Sequence, residues 1–154
     1  MTMAVPRILI VEARFYEEIS DHLFAGAEAV LRAAGVEIER IAVPGALEIP
    51  AVIGIARQGQ PGFDGYVALG CVIRGETSHY DTVCNESARG LQSLGIEFGL
   101  PIGNGILTCE NWEQAMVRAR ADDQDKGGGA AKACLAVIEA RRRFGLPSLT
   151  MAPR

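Results

Sequence analysis

Two histidines occur in the chain, and one of them, His79, has a position that favours proton transfer. It follows a polar turn, residues 74–78, which comes directly after an apolar run and precedes a segment with helical periodicity. A neutral imidazole can both accept and donate a proton near neutral pH. Position alone also allows a helix-capping or surface histidine. The other histidine, His22, lies inside an amphipathic repeat and is predicted to have a structural role.

The turn before His79 has the composition of a phosphate site. Its residues 75–78, Gly-Glu-Thr-Ser, offer backbone N–H groups and two hydroxyls next to the positive end of a predicted helix. The spacing matches neither of the glycine-rich nucleotide-binding loops. An ordinary turn therefore explains the same residues at least as well.

Three further side chains have the chemistry of a binding site, but their local pattern assigns no role to them. Phe15 follows an apolar run and could stack on a flat ring, although an aromatic residue at this point of a helix is more often part of the core. Arg118 and Lys126 lie near a break between two predicted helices, where solvated charges are the simpler interpretation. By themselves these three residues define no function.

The elements that must position these residues follow from the apolar pattern. Short apolar or alternating runs predict strands, and apolar residues repeated every three or four positions predict helices. Strands are predicted within residues 7–12, 36–43, 63–73 and 101–107. Helices are predicted within residues 15–34, 48–58, 83–98 and 111–121, with a last helix that opens at 127–129. Asn111 followed by Gln114 is typical of a helix N-terminus.

Strands that alternate with helices pair in parallel through right-handed crossovers, so the predicted fold class is an α/β three-layer αβα sandwich. No repeat or linker interrupts residues 1–154, which predicts a single domain, with residues 1–6 and 146–154 as flexible ends. In such sheets, ligands bind beyond the carboxyl ends of the strands. The predicted strand ends fall at residues 13–15, 44–48, 70–79 and 104–110. Phe15 and His79 lie in two of these segments, which is the first functional indication.

Length and charge exclude several classes of protein. The 154 residues suffice for one domain with its own core. Lys and Arg number 15 against 19 Asp and Glu, and the net charge of −4 does not favour nucleic acid or an anionic membrane as a partner. No apolar run in the sequence has the length of a membrane span, and the run before Glu12 is too short for a signal peptide. We therefore expect a cytoplasmic protein.

Cysteine usage agrees with that expectation. No Cys-x-x-Cys pair and no histidine at metal-ligand spacing accompany the four cysteines, which are Cys71, Cys84, Cys109 and Cys134. A chain of this size needs no disulfides to fold, so the cysteines are predicted to be reduced thiols. No metal site is predicted.

Several segments taken together resemble the 6,7-dimethyl-8-ribityllumazine synthase family, whose enzymes carry out the penultimate step of riboflavin synthesis. They occur in order, without large gaps, between about residues 7 and 144. The segments are Arg14-Phe15, VPGALEIP at 43–50, GCVIRGETSH at 70–79, NGILT at 104–108, Glu110-Asn111, Glu113-Gln114-Ala115 and Asp125-Lys126-Gly127. The stretch VIRGETSH is highly specific. The resemblance implies a flavodoxin-like αβα sandwich with a four-stranded parallel sheet.

The resemblance also implies a reaction without cofactors. In that reaction, 5-amino-6-(D-ribitylamino)uracil condenses with 3,4-dihydroxy-2-butanone 4-phosphate to give 6,7-dimethyl-8-ribityllumazine, phosphate and water. His79 would transfer protons, Phe15 would stack on the pyrimidine, and Glu48 would accept hydrogen bonds from the ribityl hydroxyls. The backbone of residues 71–73 would bind the edge of the pyrimidine. The residues implied around the pyrimidine and ribityl groups are Phe15, Ala46, Leu47, Glu48, Cys71, Val72, Ile73 and Asn104.

A second group of residues is implied around the phosphate. These residues are Glu76, Thr77, Arg118 and Lys126. In this family the sites lie between neighbouring subunits of a ring of five. Asn104, Arg118 and Lys126 would come from the adjacent chain of such a homopentamer.

The chain departs from the family pattern at two kinds of position. The family often has aromatic residues where Leu47 and Asn104 stand, which affects affinity more than the type of reaction. Members that form sixty-subunit shells usually carry a glycine-rich basic turn, whereas residues 120–124 here read Arg-Ala-Asp-Asp-Gln, with Asp125 next. Carboxylates at this turn change its geometry and charge. We therefore predict free pentamers and no capsid.

Two other functional classes are weighed against catalysis. A relative that mainly binds lumazine or riboflavin would be compatible with the changes at Leu47 and Asn104, but a pure binding protein has no need of His79. A flavodoxin-type electron carrier or a phospho-receiver is disfavoured, because the chain lacks the paired strand-end acids of a receiver and the two aromatic loops that hold a flavin.

Overall fold

The computed structural model describes residues 5–150, which form four strands and five helices. In chain order these are β1 (Arg7–Ala13), α1 (Glu17–Ala33), β2 (Glu37–Val43), α2 (Glu48–Gln58), β3 (Gly65–Ile73), α3 (His79–Phe98), β4 (Ile102–Cys109), α4 (Trp112–Ala119) and α5 (Lys126–Arg143). Every helix and strand lies where the apolar pattern predicts one. The ends of most of these elements differ from the predicted ends by a few residues.

The four strands form one parallel sheet in the order β2-β1-β3-β4. Helices α1, α4 and α5 pack on one face of the sheet, and α2 and α3 pack on the other. The predicted three-layer αβα sandwich is therefore confirmed. The sequence pattern leaves the order of the strands open. In the structure, β1 and β3 are the central strands, and β2 and β4 are the edge strands.

Strand β1 shows how the sequence produces these layers. Successive side chains of a strand point to opposite faces, so Ile8 and Ile10 pack with α1 and α5 while Leu9 and Val11 pack with α2. All four side chains are buried. Full burial of a side chain of this size contributes about 1.5–3 kcal/mol. A strand buried on both faces must read as a continuous apolar run, as this one does until Glu12.

Helix α5 approaches the sheet unusually closely, and this contact places the residue at its start. A Cβ atom on Gly103 of β4 would overlap the carbonyl of Ala130 in α5, so only glycine fits there. Helix α5 begins directly after Asp125, which adopts a left-handed backbone conformation with φ of 48°. The Asp125 carboxylate accepts a hydrogen bond from the Gly128 N–H at 3.1 Å. Lys126, the first residue of α5, is thereby held beside β4.

The ends of the chain are only partly described. Residues 1–4 and 151–154 lie outside the described part, so the predicted flexible ends and the predicted single domain over 1–154 stay predictions. Before the end, Thr150 donates hydrogen bonds to the carboxylate of Asp64, and Leu149 packs against the core. Across residues 5–150, no helix combines the length and the apolar character needed to cross a membrane.

Candidate active site

A cleft of about 500 Å³ opens at the carboxyl ends of β1, β2 and β3, and we call it the His79 cleft. Its position agrees with the rule that ligands bind beyond the ends of parallel strands. Its lining consists of Ala13, Phe15, Tyr16, Gly45, Ala46, Leu47, Glu48, Cys71, Val72, Ile73, Gly75, Thr77, His79, Tyr80 and Val83. Nine of the thirteen residues that the resemblance implies for the site, His79 among them, therefore line one cavity.

His79 is the first residue of α3 and is exposed in this cleft. Its backbone N–H donates a hydrogen bond to the Thr77 hydroxyl at 3.2 Å. No hydrogen bond to its imidazole is found among residues 5–150. The N-cap position of α3 is Ser78, and the Thr77 hydroxyl accepts from the first N–H of the helix, so the imidazole has no capping role and both ring nitrogens are available to a ligand.

The turn between β3 and α3 is held in place by Arg74. Its guanidinium donates a hydrogen bond to Glu110 at 2.7 Å and lies over the ring of Tyr80, 4.2 Å from the ring centroid. Its backbone N–H donates to the carbonyl of Cys109 at 3.0 Å. The turn can therefore present the backbone of Gly75 and the hydroxyl of Thr77 to an anion. Glu76 lies in the same turn but is exposed and does not line the cleft.

Phe15 is exposed over 75% of its surface and is not part of the core. Its ring meets the edge of Tyr16, with the ring centroids 4.8 Å apart. The lining also includes Leu47, which is 40% exposed, and the exposed residue Glu48 at the start of α2. The cleft therefore combines an aromatic face with a hydrogen-bond acceptor, which suits a flat heterocycle that carries a polar chain.

Cys71 lines the cleft, but its thiol is unreactive. Burial raises the pKa of the Cys71 thiol from 9.0 to about 12, with smaller contributions from Cys109 and Cys84. The thiol is therefore protonated at neutral pH and is a poor nucleophile. The backbone groups of residues 71–73 are what this strand end offers to a ligand.

A second, separate cleft of about 390 Å³ lies along the edge strand β4, and we call it the Arg118 cleft. Its lining consists of Asn104, Gly105, Ile106, Leu107, Thr108, Arg118, Lys126, Gly129, Ala130 and Ala133. Arg118 is half-buried and donates one hydrogen bond to the carbonyl of Gln114 at 3.0 Å. The Asn104 side chain accepts a hydrogen bond from the N–H of Ile106 at 3.0 Å. Among the described residues, the linings of the two clefts share no member.

The structure thus divides the expected site residues into two groups on one chain. It also adds residues that were not predicted, since Tyr16, Tyr80 and Val83 line the His79 cleft. Val83 lies four residues after His79, so helical periodicity could have placed it on the same face. Tyr16 follows Phe15 and Tyr80 follows His79 in the chain. A tyrosine at either position does not by itself indicate a binding site. Within residues 5–150, no group of three or more His, Cys, Asp or Glu residues could hold a metal ion.

The chain is a parallel αβα sandwich with an open cleft at the ends of its strands. An aromatic ring, a histidine and a hydroxyl-bearing turn line this cleft. These features are typical of a flavodoxin-like protein that binds small molecules. The sequence model of the family described as 6,7-dimethyl-8-ribityllumazine synthase matches residues 5–142. The chain belongs to the 6,7-dimethyl-8-ribityllumazine synthase family, and the resemblance inferred from the sequence segments is confirmed.

Individual relatives support the same conclusion. The chain is 57% identical over 140 residues to a 6,7-dimethyl-8-ribityllumazine synthase of Bartonella tribocorum, covering 91% of this chain and 93% of that protein. It is 54% identical over 147 residues to the protein of the same name from Agrobacterium fabrum, covering 93% of this chain and 99% of that protein. A third relative of that name, from Novosphingobium aromaticivorans, is 56% identical over 138 residues, covering 90% of this chain and 98% of that protein.

Proposed function

We propose that this protein catalyses the penultimate step of riboflavin synthesis, the condensation of 5-amino-6-(D-ribitylamino)uracil with 3,4-dihydroxy-2-butanone 4-phosphate. The observation that carries the proposal is the His79 cleft, in which a stacking ring, a hydroxyl-bearing turn and an accessible imidazole face one cavity of about 500 Å³. Phe15 stacks on the pyrimidine, and Glu48 accepts hydrogen bonds from the ribityl hydroxyls. The backbone of residues 71–73 binds the pyrimidine edge.

The proposed chemistry consists of proton transfers and the departure of an anion. The aromatic amine attacks the ketone and water leaves as the imine forms. Phosphate then leaves by elimination, and the ring closes with loss of a second water molecule. His79 accepts and returns the protons that these steps require. The remaining acceleration comes from holding the two substrates in register.

The phosphate group requires residues from both clefts. Thr77 and Gly75 of its turn lie in the His79 cleft, whereas Arg118 and Lys126 lie in the Arg118 cleft, together with Asn104 of the pyrimidine and ribityl group. We infer that the complete site forms where the His79 cleft of one subunit meets the Arg118 cleft of its neighbour in a homopentamer. Each cleft is open and carries part of the chemistry, which supports this arrangement.

We also propose that the pentamers do not assemble further. The turn at residues 120–124 carries Asp122, which is ion-paired with Arg120 at 2.9 Å, and two further carboxylates follow at Asp123 and Asp125. Hydrogen bonding to Arg120 lowers the pKa of Asp122, and the charge of Arg120 offsets one of the three carboxylates. Light scattering is expected to give a mass about five times the chain mass of 16.4 kDa. A particle near a megadalton would contradict the proposal.

Mixed pentamers test the shared site directly. We expect that His79→Ala and Arg118→Ala proteins, each impaired alone, recover activity when they are unfolded and reassembled together. About half of the subunits then carry an intact His79 and about half of their neighbours an intact Arg118, so about one quarter of the sites are complete. Activity is measured as lumazine absorbance at a butanone phosphate concentration near the wild-type KM.

The control for this experiment uses two changes in the same half of the site. A mixture of His79→Ala and Thr77→Ala proteins has no route to a site with both residues intact, because both lie in the His79 cleft. No recovery is therefore expected beyond the activity of the separate variants. If the first mixture forms pentamers without recovering activity, the site is contained within one chain and the shared arrangement is wrong.

A further inference from the structure

A buried carboxylate with two partly exposed arginine partners lies at the end of β1, three residues before Phe15 in the chain. Glu12, near the end of β1, interrupts an apolar strand, and its side chain is only 3% exposed. Its two carboxylate oxygens accept hydrogen bonds from Nε and Nη2 of Arg40 at 2.8 and 2.9 Å. One of them also accepts from Nη1 of Arg14 at 3.1 Å. The carboxylate is therefore held by two guanidinium groups.

Arg14 links this buried carboxylate to the first helix. Its Nη2 donates to the carboxylate of Asp21 in α1 at 2.5 Å, while Nη1 binds Glu12. The Arg14 side chain thereby spans from the end of β1 to the second turn of α1. The turn that it bridges contains Phe15, the residue next to it in the chain.

Phe15 depends on this turn for its position. Its ring is 75% exposed and has one aromatic neighbour, Tyr16, among the described residues. A core phenylalanine is held in place by the side chains packed around it. An exposed ring with few neighbours is held mainly by the backbone that carries it, so the restraint on that backbone decides how the ring faces the cleft.

We propose that Glu12 acts through Arg14 as a positioning residue, which fixes the turn that presents Phe15 to the pyrimidine substrate. This inference rests on the proposed function, because that function gives Phe15 a ligand. Desolvation of the Glu12 carboxylate offsets much of its attraction to the arginines, so the network adds little stability. Its effect here is geometric, because Arg14 joins the end of β1 to α1. Arg40 also binds Glu12, but it belongs to β2 and lies over the ring of Phe24, 3.4 Å from the ring centroid.

A double-mutant cycle tests this inference. Arg14→Gln removes the bridge at a partly exposed residue, and Phe15→Ala removes the ring. We expect Arg14→Gln to raise KM for the pyrimidine about five- to tenfold, with kcat changed less than about twofold. In the Phe15→Ala background, Arg14→Gln is expected to change KM by less than about twofold, because no ring remains to be positioned.

Two further variants separate positioning from stability. Arg40→Gln breaks contacts to the same carboxylate from β2 and leaves the bridge from Arg14 to Asp21 in place, so it is expected to lower the melting temperature while KM stays within about twofold of wild type. Glu12→Gln is expected to raise KM as Arg14→Gln does. Arg14→Gln keeps the test decisive if Glu12→Gln does not fold. Circular dichroism at the assay temperature identifies the variants that are folded.

The outcomes distinguish this inference from the proposed function. If Phe15→Ala raises KM but Arg14→Gln does not, Phe15 binds substrate and the positioning role is wrong. If Arg14→Gln raises KM equally with and without the ring, or if Arg40→Gln raises KM as much as Arg14→Gln, the network is only structural and the inference is overturned. If Phe15→Ala leaves KM unchanged, the stacking role in the proposed function fails and the positioning role fails with it.

Discussion

Replacement of His79 by alanine is expected to lower kcat about 10²–10⁴-fold, the contribution of a positioned general acid or base. The imidazole is exposed in the cleft, next to the turn assigned to phosphate. The hydrogen bond from the His79 backbone to Thr77 does not involve the side chain, so the turn and the start of α3 are expected to remain intact. The rate of lumazine formation at saturating substrates measures the effect.

His22 provides a matched control, because it is the only other histidine in the chain. It lies half-buried in α1 and does not line the cleft. His22→Ala is expected to leave kcat within about twofold of wild type. Binding of a flavin-like product analogue by the His79→Ala protein is expected to stay nearly unchanged, which separates proton transfer from affinity. An unchanged kcat in the His79→Ala protein would show that the proton-transfer role is wrong.

The elements of the fold could be predicted because their signals are local. Helix α2 was predicted at residues 48–58 and is found at Glu48–Gln58. The predicted start of α4 is confirmed by the side chain of Asn111, which accepts a hydrogen bond from the Gln114 N–H at 2.9 Å. The strand order could not be predicted in the same way, because pairing of β1 with β3 joins residues more than fifty positions apart, as Ile8 with Gly65 shows.

Residues of the candidate site could be predicted only where a side chain with suitable chemistry lies in the segment after a predicted strand. Thr77 and His79 lie in the short segment after β3, so the strand-end rule is enough to place them in the cleft. Phe15 has the same sequence signal whether it faces the core or the cleft, and only the path of the turn decides between them. Glu12 was not singled out, because its partner Arg40 belongs to a neighbouring strand 28 residues along the chain.

The apolar pattern of the sequence also does not predict that the expected site residues divide between two clefts. The strand-end rule by itself favours one site that includes residues 104–110, whereas the family resemblance implies that Asn104 comes from an adjacent chain. Strand β4 is at the edge, however, and the Asn104 side chain turns back to its own strand. Asn104 therefore lines the Arg118 cleft and not the His79 cleft, and a single cleft contains only part of the proposed site.

Replacement of Arg118 by alanine is expected to weaken binding of the butanone phosphate by about 1.5–3 kcal/mol, which is about a 10- to 150-fold increase in KM. Arg118 uses one N–H on the carbonyl of Gln114, and the rest of its guanidinium is available to an anion in the Arg118 cleft. Loss of the side chain removes charge-assisted hydrogen bonds to the phosphate. Lys126 remains in the same cleft, so binding is reduced and not abolished.

Arg120 is the matched control for this change, because it lies two residues further along the chain and is paired with Asp122 outside the cleft lining. Arg120→Ala is expected to leave KM within about twofold of wild type. Arg118→Lys keeps the charge but loses the planar, two-pronged contact, so its KM is expected to lie between those of wild type and Arg118→Ala. The KM for the pyrimidine is expected to change little in all three proteins, because Phe15 and Glu48 lie in the other cleft. If Arg118→Ala leaves the KM for the butanone phosphate unchanged, Arg118 does not bind the phosphate. The proposal that the site is shared between the two clefts then loses its main support.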